Sequence, residues 1–240
     1  MPGEDTLRAQ YEAYPYPARD PADEARRLVT GSPSHLAEIV HYLRGGRQVA
    51  GRFRALVAGG GTGDGAIMLA QQLADAKAEA EVVHLDLSRA SARIAEARAK
   101  ARGLTNMRFV HGSLTELDTL GLDRFDYVDC CGVLHHLEDP PAALCGLAGA
   151  LTDDGGIGLM VYGTLGRTGV YPAQQALRLL GNEAGPAAKV ALARRLLGDL
   201  PESNWLSRNS FLADHLHGDD AGLYDLLLHS RDRAYLVPEV

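Results

Sequence analysis

Residues 53–65, FRALVAGGGTGDG, constrain the fold most, because an apolar run ends there in a cluster of glycines. Phe53, Ala55, Leu56, Val57 and Ala58 run together instead of alternating, which predicts a short strand buried on both faces. The glycines allow a sharp turn and let a ligand come within contact distance of the main chain. Ala66, Ile67, Met68, Leu69 and Ala70 then predict a helix whose first N–H groups open into the same crevice. Strand, bare turn and helix together outline a nucleotide site.

The spacing narrows the ligand. A dinucleotide fingerprint reads GxGxxG, whereas Gly59, Gly61 and Gly63 read GxGxG and are followed by Asp64. An acid at the helix start partly neutralises the positive end that would greet a pyrophosphate. A nicotinamide oxidoreductase is therefore disfavoured. The competing view is a glycine loop that only turns the chain.

The second apolar run, EVVHLDLS, ends in Asp86, 23 residues past Gly63. Neighbouring strand ends in a doubly wound sheet share one crevice, so this carboxylate is placed to accept both hydroxyls of a ribose. Its alternative, capping the next helix, is already filled by Ser88 ahead of RASARIAEARAKARG, which Gly103 closes. Further strands are expected at 106–112, 124–132 and 155–163, with a helix over 141–151. The fold class is α/β, a doubly wound and mainly parallel sheet occupying 51–163. Residues 1–50 form a helical arm, including a helix over 33–44, and 164–240 a helical appendage. In the arm, YEAYPYPARDP breaks any regular helix at Pro15 and Pro17. Its tyrosines suit either a lid or plain packing.

Charge and cysteine content exclude several partners. The net charge is −7, and lysine occurs only at 77, 100 and 189, so no basic tract exists to hold nucleic acid. No apolar run approaches a membrane span, and the polar, acidic N-terminus is unlike a signal peptide. Cys130, Cys131 and Cys145 sit in segments that read as buried, which suits reduced thiols in the cytoplasm and no disulfide.

The series ALVAGGGTGDG, VVHLDLS, FVHGSL, FDYVDCCGVLHHLEDP and LTDDGGIGLMVYG resembles the motifs of class I S-adenosylmethionine-dependent methyltransferases. The flanking phrases AYPYPARDP and DLLLHSRDRAYLVPEV are similar to a bacterial branch sometimes fused to tetratricopeptide repeats. The resemblance implies S-adenosylmethionine as cofactor. It implies that Gly59, Gly60, Gly61, Thr62 and Gly63 lie under its methionine and ribose parts, that Asp86 holds the ribose, that Leu87 touches the adenine, and that Gly132 also contacts it. Two departures stand out. An acid that often binds the adenine amino group is replaced by Ser113 and Leu114, which leaves a hydroxyl and a backbone to do so. Val57 stands where the family commonly has an acid for the ammonium group, and Asp129, ending the adjacent fourth strand, is the candidate substitute. Its alternative is a buried ion pair with an arginine such as Arg124.

Methyl transfer from a sulfonium demands alignment more than acid–base machinery. His135 and His136 follow the fourth strand, and one of them is expected to face the crevice, His135 being the candidate base; both are otherwise loop histidines. Tyr11, Tyr14, His135 and Tyr162 are placed by analogy around the acceptor, a small molecule or a protein side chain. A metal built from His135, His136, Glu138 and Asp139 is not expected, since neighbours in sequence seldom aim at one ion and no distant ligands are evident. Class I sheets normally continue with an antiparallel hairpin, absent before YLVPEV, which points to a homodimer over the open edge or to a fragment. The alternative function is a non-catalytic regulator that binds the cofactor.

Overall fold

The computed structural model describes residues 2–181, 184–209, 212 and 219–240. Helix α1 (Pro2–Ala13) stops just before the two prolines and packs on α4 (Arg89–Arg102). A short turn, Pro21–Ala25, leads to α2 (Leu36–Glu38), which widens into a π-helical turn over Ile39–Leu43 where one continuous helix was expected. The sheet comprises β1 (Phe53–Ala58), β2 (Ala80–Asp86), β3 (Met107–His111), β4 (Phe125–Cys131) and β5 (Leu151–Met160). Its order is β3-β2-β1-β4-β5, with every pairing parallel. β5 begins four residues earlier than expected, and an irregularity between Phe125 and Tyr127 absorbs the polar stretch at its start.

Alternate residues of the central strands feed two cores. On one face Ala55, Val57, Val82 and Tyr127 pack against Ala66, Leu69 and Leu73 of α3 (Asp64–Asp75) and Ile39. On the other, Leu56, Val83, Leu85 and Val128 meet Leu117 and, from α5 (Pro140–Gly149), Leu147. Each large side chain fully buried in this way contributes about 1.5–3 kcal/mol. Helix α4 starts on the Ser88 hydroxyl and ends at Gly103 in a left-handed conformation, as its sequence predicts.

A third core joins the C-terminal helices α6 (Val170–Gly181), α7 (Pro186–Asp199), α8 (Trp205–Arg208) and α9 (Asp220–Leu227). Leu177, Ala193, Leu206 and Leu223 lie at its centre, and Tyr14 of the arm packs against it. Among the described residues no helix is long and apolar enough to cross a membrane. The three cysteines are free thiols, but Cys145 is exposed on α5, contrary to the burial expected of it.

Candidate functional site

The strand order reverses between β1 and β4, so the loops leaving them part and leave a crevice at their carboxyl ends. A cavity of about 1080 Å³ opens there, lined by Gly59, Gly60, Gly61, Asp86, Leu87, Ser113, Leu114, Asp129 and Gly132, with Tyr11 and Tyr162 on the outer wall. The glycine turn is tied to β2 by N–H bonds from Gly59 and Gly60 to the Leu85 carbonyl, at 2.8 and 3.0 Å. Gly61 has φ +53°, and a Cβ there would lie 2.7 Å from the Tyr16 carbonyl oxygen, so the arm rests directly on the turn.

Asp86 meets the turn. One carboxylate oxygen accepts the Gly61 N–H at 2.7 Å and the other the Ser88 N–H at 2.7 Å. A carboxylate offers about four acceptor positions, so lone pairs remain for two ribose hydroxyls. Burial raises the Asp86 pKa, although these N–H donors favour the charged form.

Asp129 lies in register with Val57 on the adjacent strand. It is 2% exposed, accepts a hydrogen bond from the Ser34 hydroxyl on Oδ2, and has no partner on Oδ1. Burial pushes its pKa up to about 6, as expected of an acid without a countercharge. The alternative pairing with Arg124 is not made, because that guanidinium faces Asp153 and the Leu151 carbonyl on the surface. A bare turn, a ribose-ready carboxylate and a buried acid lacking a cation together fit S-adenosylmethionine, which brings a ribose and an ammonium group.

Four expected contacts are redirected. Thr62 and Gly63 do not line the cavity: the Thr62 hydroxyl donates to the Pro17 carbonyl at 2.7 Å, and a Cβ on Gly63 would lie 2.9 Å from Ala95 Cβ. Tyr14 stacks on Tyr224, ring centroids 4.8 Å apart, outside the crevice. His135 also lies outside it, stacked on Tyr162 at 3.7 Å, while His136 takes the place in the wall. Burial depresses His135 to about 2 and His136 to about 4, so both rings are neutral at pH 7. The Ser113 hydroxyl, though in the wall, accepts the Thr115 N–H at 3.2 Å and also bonds the Thr115 hydroxyl.

Asp225, His229 and Arg167 were not expected here. Arg167 lies 3.7 Å from the Tyr162 ring centre, as does the His135 ring. Two groups so close cannot share a face, so Tyr162 is clamped between them. Asp225 lines the cavity and accepts the Tyr11 hydroxyl at 2.9 Å on Oδ1, with the Tyr162 hydroxyl 3.4 Å from Oδ2. The Arg231 N–H donates to His229 Nδ1 at 3.1 Å, so in the neutral ring Nε2 carries the proton and donates to the Tyr11 oxygen at 3.1 Å. The sequence held one clue: Asp225 and His229 are four residues apart, at the spacing of one helical face.

The expectation that no distant ligands gather near His136 needs correction, since His136, Asp225 and His229 bring ligand atoms within 4.8 Å of one another. The two imidazoles nevertheless stack at 3.6 Å with planes 17° apart, so their in-plane lone pairs run side by side instead of converging. His229 Nε2 also carries a proton where a metal would need a lone pair. The trio is wired for hydrogen bonding.

Residues 56–157 match the sequence model of a methyltransferase domain. The chain is 32% identical over 205 residues to an uncharacterised protein of Synechococcus sp., covering 84% of this chain and 48% of that one. It thus spans about half the length of that curated relative. PKMT2 from Rickettsia typhi in complex with AdoHcy superposes with a TM-score of 0.60 at 17% identity, over 84% of this chain and 40% of that one, which establishes the shared fold. A structure described as converting a disulfide bond into a thioacetal group during echinomycin biosynthesis gives 0.50 at 25% identity, over 72% and 68% of the two chains.

Proposed function

With a class I S-adenosylmethionine-dependent methyltransferase domain running through residues 56–157 as the premise, we propose that this chain transfers a methyl group by in-line displacement to a small molecule or a protein side chain. The bound cofactor supplies a methyl group on a sulfonium, a leaving group that needs no further activation. The chain's part is to hold and align. Asp86 accepts the ribose hydroxyls, Asp129 takes the ammonium, and the Gly59–Gly61 main chain lets the cofactor lie close. Leu87, Ser113, Leu114 and Gly132 enclose the adenine side, and Tyr11 and Tyr162 form the acceptor wall. Orientation of this kind removes roughly 7–11 kcal/mol from a bimolecular barrier, so no triad is required. A net charge of −7 supports a small-molecule or protein acceptor over nucleic acid.

One observation carries the reading: Asp86 is bonded to the glycine turn in a crevice that also holds the partnerless Asp129 oxygen. Titration calorimetry tests it. S-Adenosylmethionine and S-adenosylhomocysteine are expected to bind and NADH to give no heat; the reverse ranking would end the proposal. Methyl release over an acceptor panel then distinguishes an enzyme from a binding protein.

A further inference from the structure

We infer that His136 is a catalytic proton acceptor: its bare Nε2 holds the O–H of a hydroxyl acceptor and takes the proton as the methyl group arrives. The inference rests on the methyltransferase reading above and deepens it by naming the acceptor class, an alcohol or a phenol.

The assignment starts from one ring. His136 Nδ1 lies 2.8 Å from the Arg231 carbonyl, which can only accept, so Nδ1 carries the proton and Nε2 of the neutral ring is a lone pair. The residue borders the cavity, and no described residue donates to that lone pair. The two other buried imidazoles are not placed for this role. Both nitrogens of His135 are sealed from solvent without partners, and His229, outside the lining, directs its Nε2 proton to Tyr11.

Packing fixes the aim of the lone pair. The His136 ring stacks on His229 at 3.6 Å and meets His135 edge-on at 4.2 Å, while its main-chain N–H bonds the Val133 carbonyl at 2.9 Å. A group so confined loses little freedom when a ligand arrives. Its charge state is set as well: burial lowers the pKa to about 4, with Arg167 also opposing the charged form and the Arg231 carbonyl and Asp232 favouring it. The Cys131 thiol, also in the wall, is pushed up to about 12 by burial and is no rival base.

Chemistry then selects the acceptor. A lone pair repels carboxylates and gives ethers nothing, so the ligand must bring an O–H or N–H. A base this weak cannot remove a proton beforehand, but it can receive one late. As an oxygen lone pair forms the bond to the methyl carbon, the carbon–sulfur bond breaks with its electrons going to sulfur, and the O–H proton passes to Nε2. Positive charge moves from sulfur to the imidazole, and water takes the proton after the product leaves. A methylated oxygen still bearing its proton is a far stronger acid than this imidazolium, whereas an alkylammonium is a weaker one and would keep its proton.

The test uses nitrogen-labelled full chain saturated with S-adenosylhomocysteine at pH 7.5, with phenol, anisole and benzylamine as probes. Long-range proton–nitrogen NMR is expected to show His136 protonated on Nδ1 and bare on Nε2, and phenol to move the Nε2 resonance. Phenol should bind about fivefold more tightly than anisole, which keeps the ring and lacks the O–H, as one neutral hydrogen bond implies. His136→Phe should bring the two within about twofold of each other. If that variant does not fold, the tautomer and the phenol-to-anisole ratio of the unaltered protein decide alone. A proton on Nε2, equal binding of phenol and anisole, a phenol preference that survives His136→Phe, tighter binding of benzylamine, or no binding of any probe overturns the inference. Failure of S-adenosylhomocysteine to bind at all overturns the functional proposal instead.

Discussion

Asp129 shows how a single residue can oppose stability at a place where the proposed site needs its charge. With its pKa raised from 3.8 to about 6, its ionised form costs the cofactor-free fold about 3 kcal/mol at pH 7. Asp129→Asn keeps the shape and removes the charge. The variant is expected to melt a few degrees higher than the parent without cofactor, and to bind S-adenosylmethionine at least about tenfold more weakly. Unchanged affinity in calorimetry would remove Asp129 from the ammonium site. Asp86→Ala should likewise cost about tenfold or more in affinity, through the lost ribose bonds. The place of Asp86 beside the glycine turn was legible in sequence because neighbouring strand ends share one crevice. Thr62 and Gly63 were misread because spacing cannot show that the arm lies across the turn and claims the Thr62 hydroxyl. His135 and His136 were indistinguishable as neighbours; only the clamp around Tyr162 separates them.

Among the elements, the arm is the one whose role the sequence left open between lid and packing. It is latched to the glycine turn through charge. Arg98 of α4, 1% exposed, bonds Glu24 at 2.6 Å, Asp64 at 2.7 Å and the Thr62 carbonyl at 2.8 Å. Arg102 also reaches Glu24, and Arg19 pairs with Asp64 at 2.6 Å. Asp64, read from sequence as an obstacle to phosphate, is thus half of this latch, and its arginines hold its pKa down against burial. Glu24→Ala would leave a guanidinium buried and short of a partner, a loss of about 3–5 kcal/mol. Denaturant unfolding is expected to show that loss, with faster hydrogen exchange at Gly61 and Thr62. An effect under about 1 kcal/mol would reduce the latch to an ordinary surface contact. The sheet was legible because five apolar runs alternate with helical segments. The early start of β5 was not, since Asp153 and Asp154 oppose a strand locally and lie in the irregular stretch between the Leu151 and Gly156 pairings with β4.

For the whole molecule, three buried histidines set the response to acid. His135, His136 and His229 all have pKa values depressed by burial, so unfolded chains gain protons at these sites as pH falls below 6.5 while the folded protein does not. Asp129 and Asp86, shifted upward, take protons first in the folded state and offset part of this. The net sign follows the histidines: stability should fall by about 1 kcal/mol or more per unit as pH drops from 6 towards 4. Urea unfolding across that range checks the slope, and a flat profile would contradict the burial of the imidazoles. The bond between Tyr11 and Asp225 joins residues 214 positions apart, while the whole five-stranded sheet lies between them in sequence. During synthesis, a ribosome will therefore have made all five strands well before it delivers Asp225, and for that interval the Tyr11 hydroxyl waits for the carboxylate that accepts it.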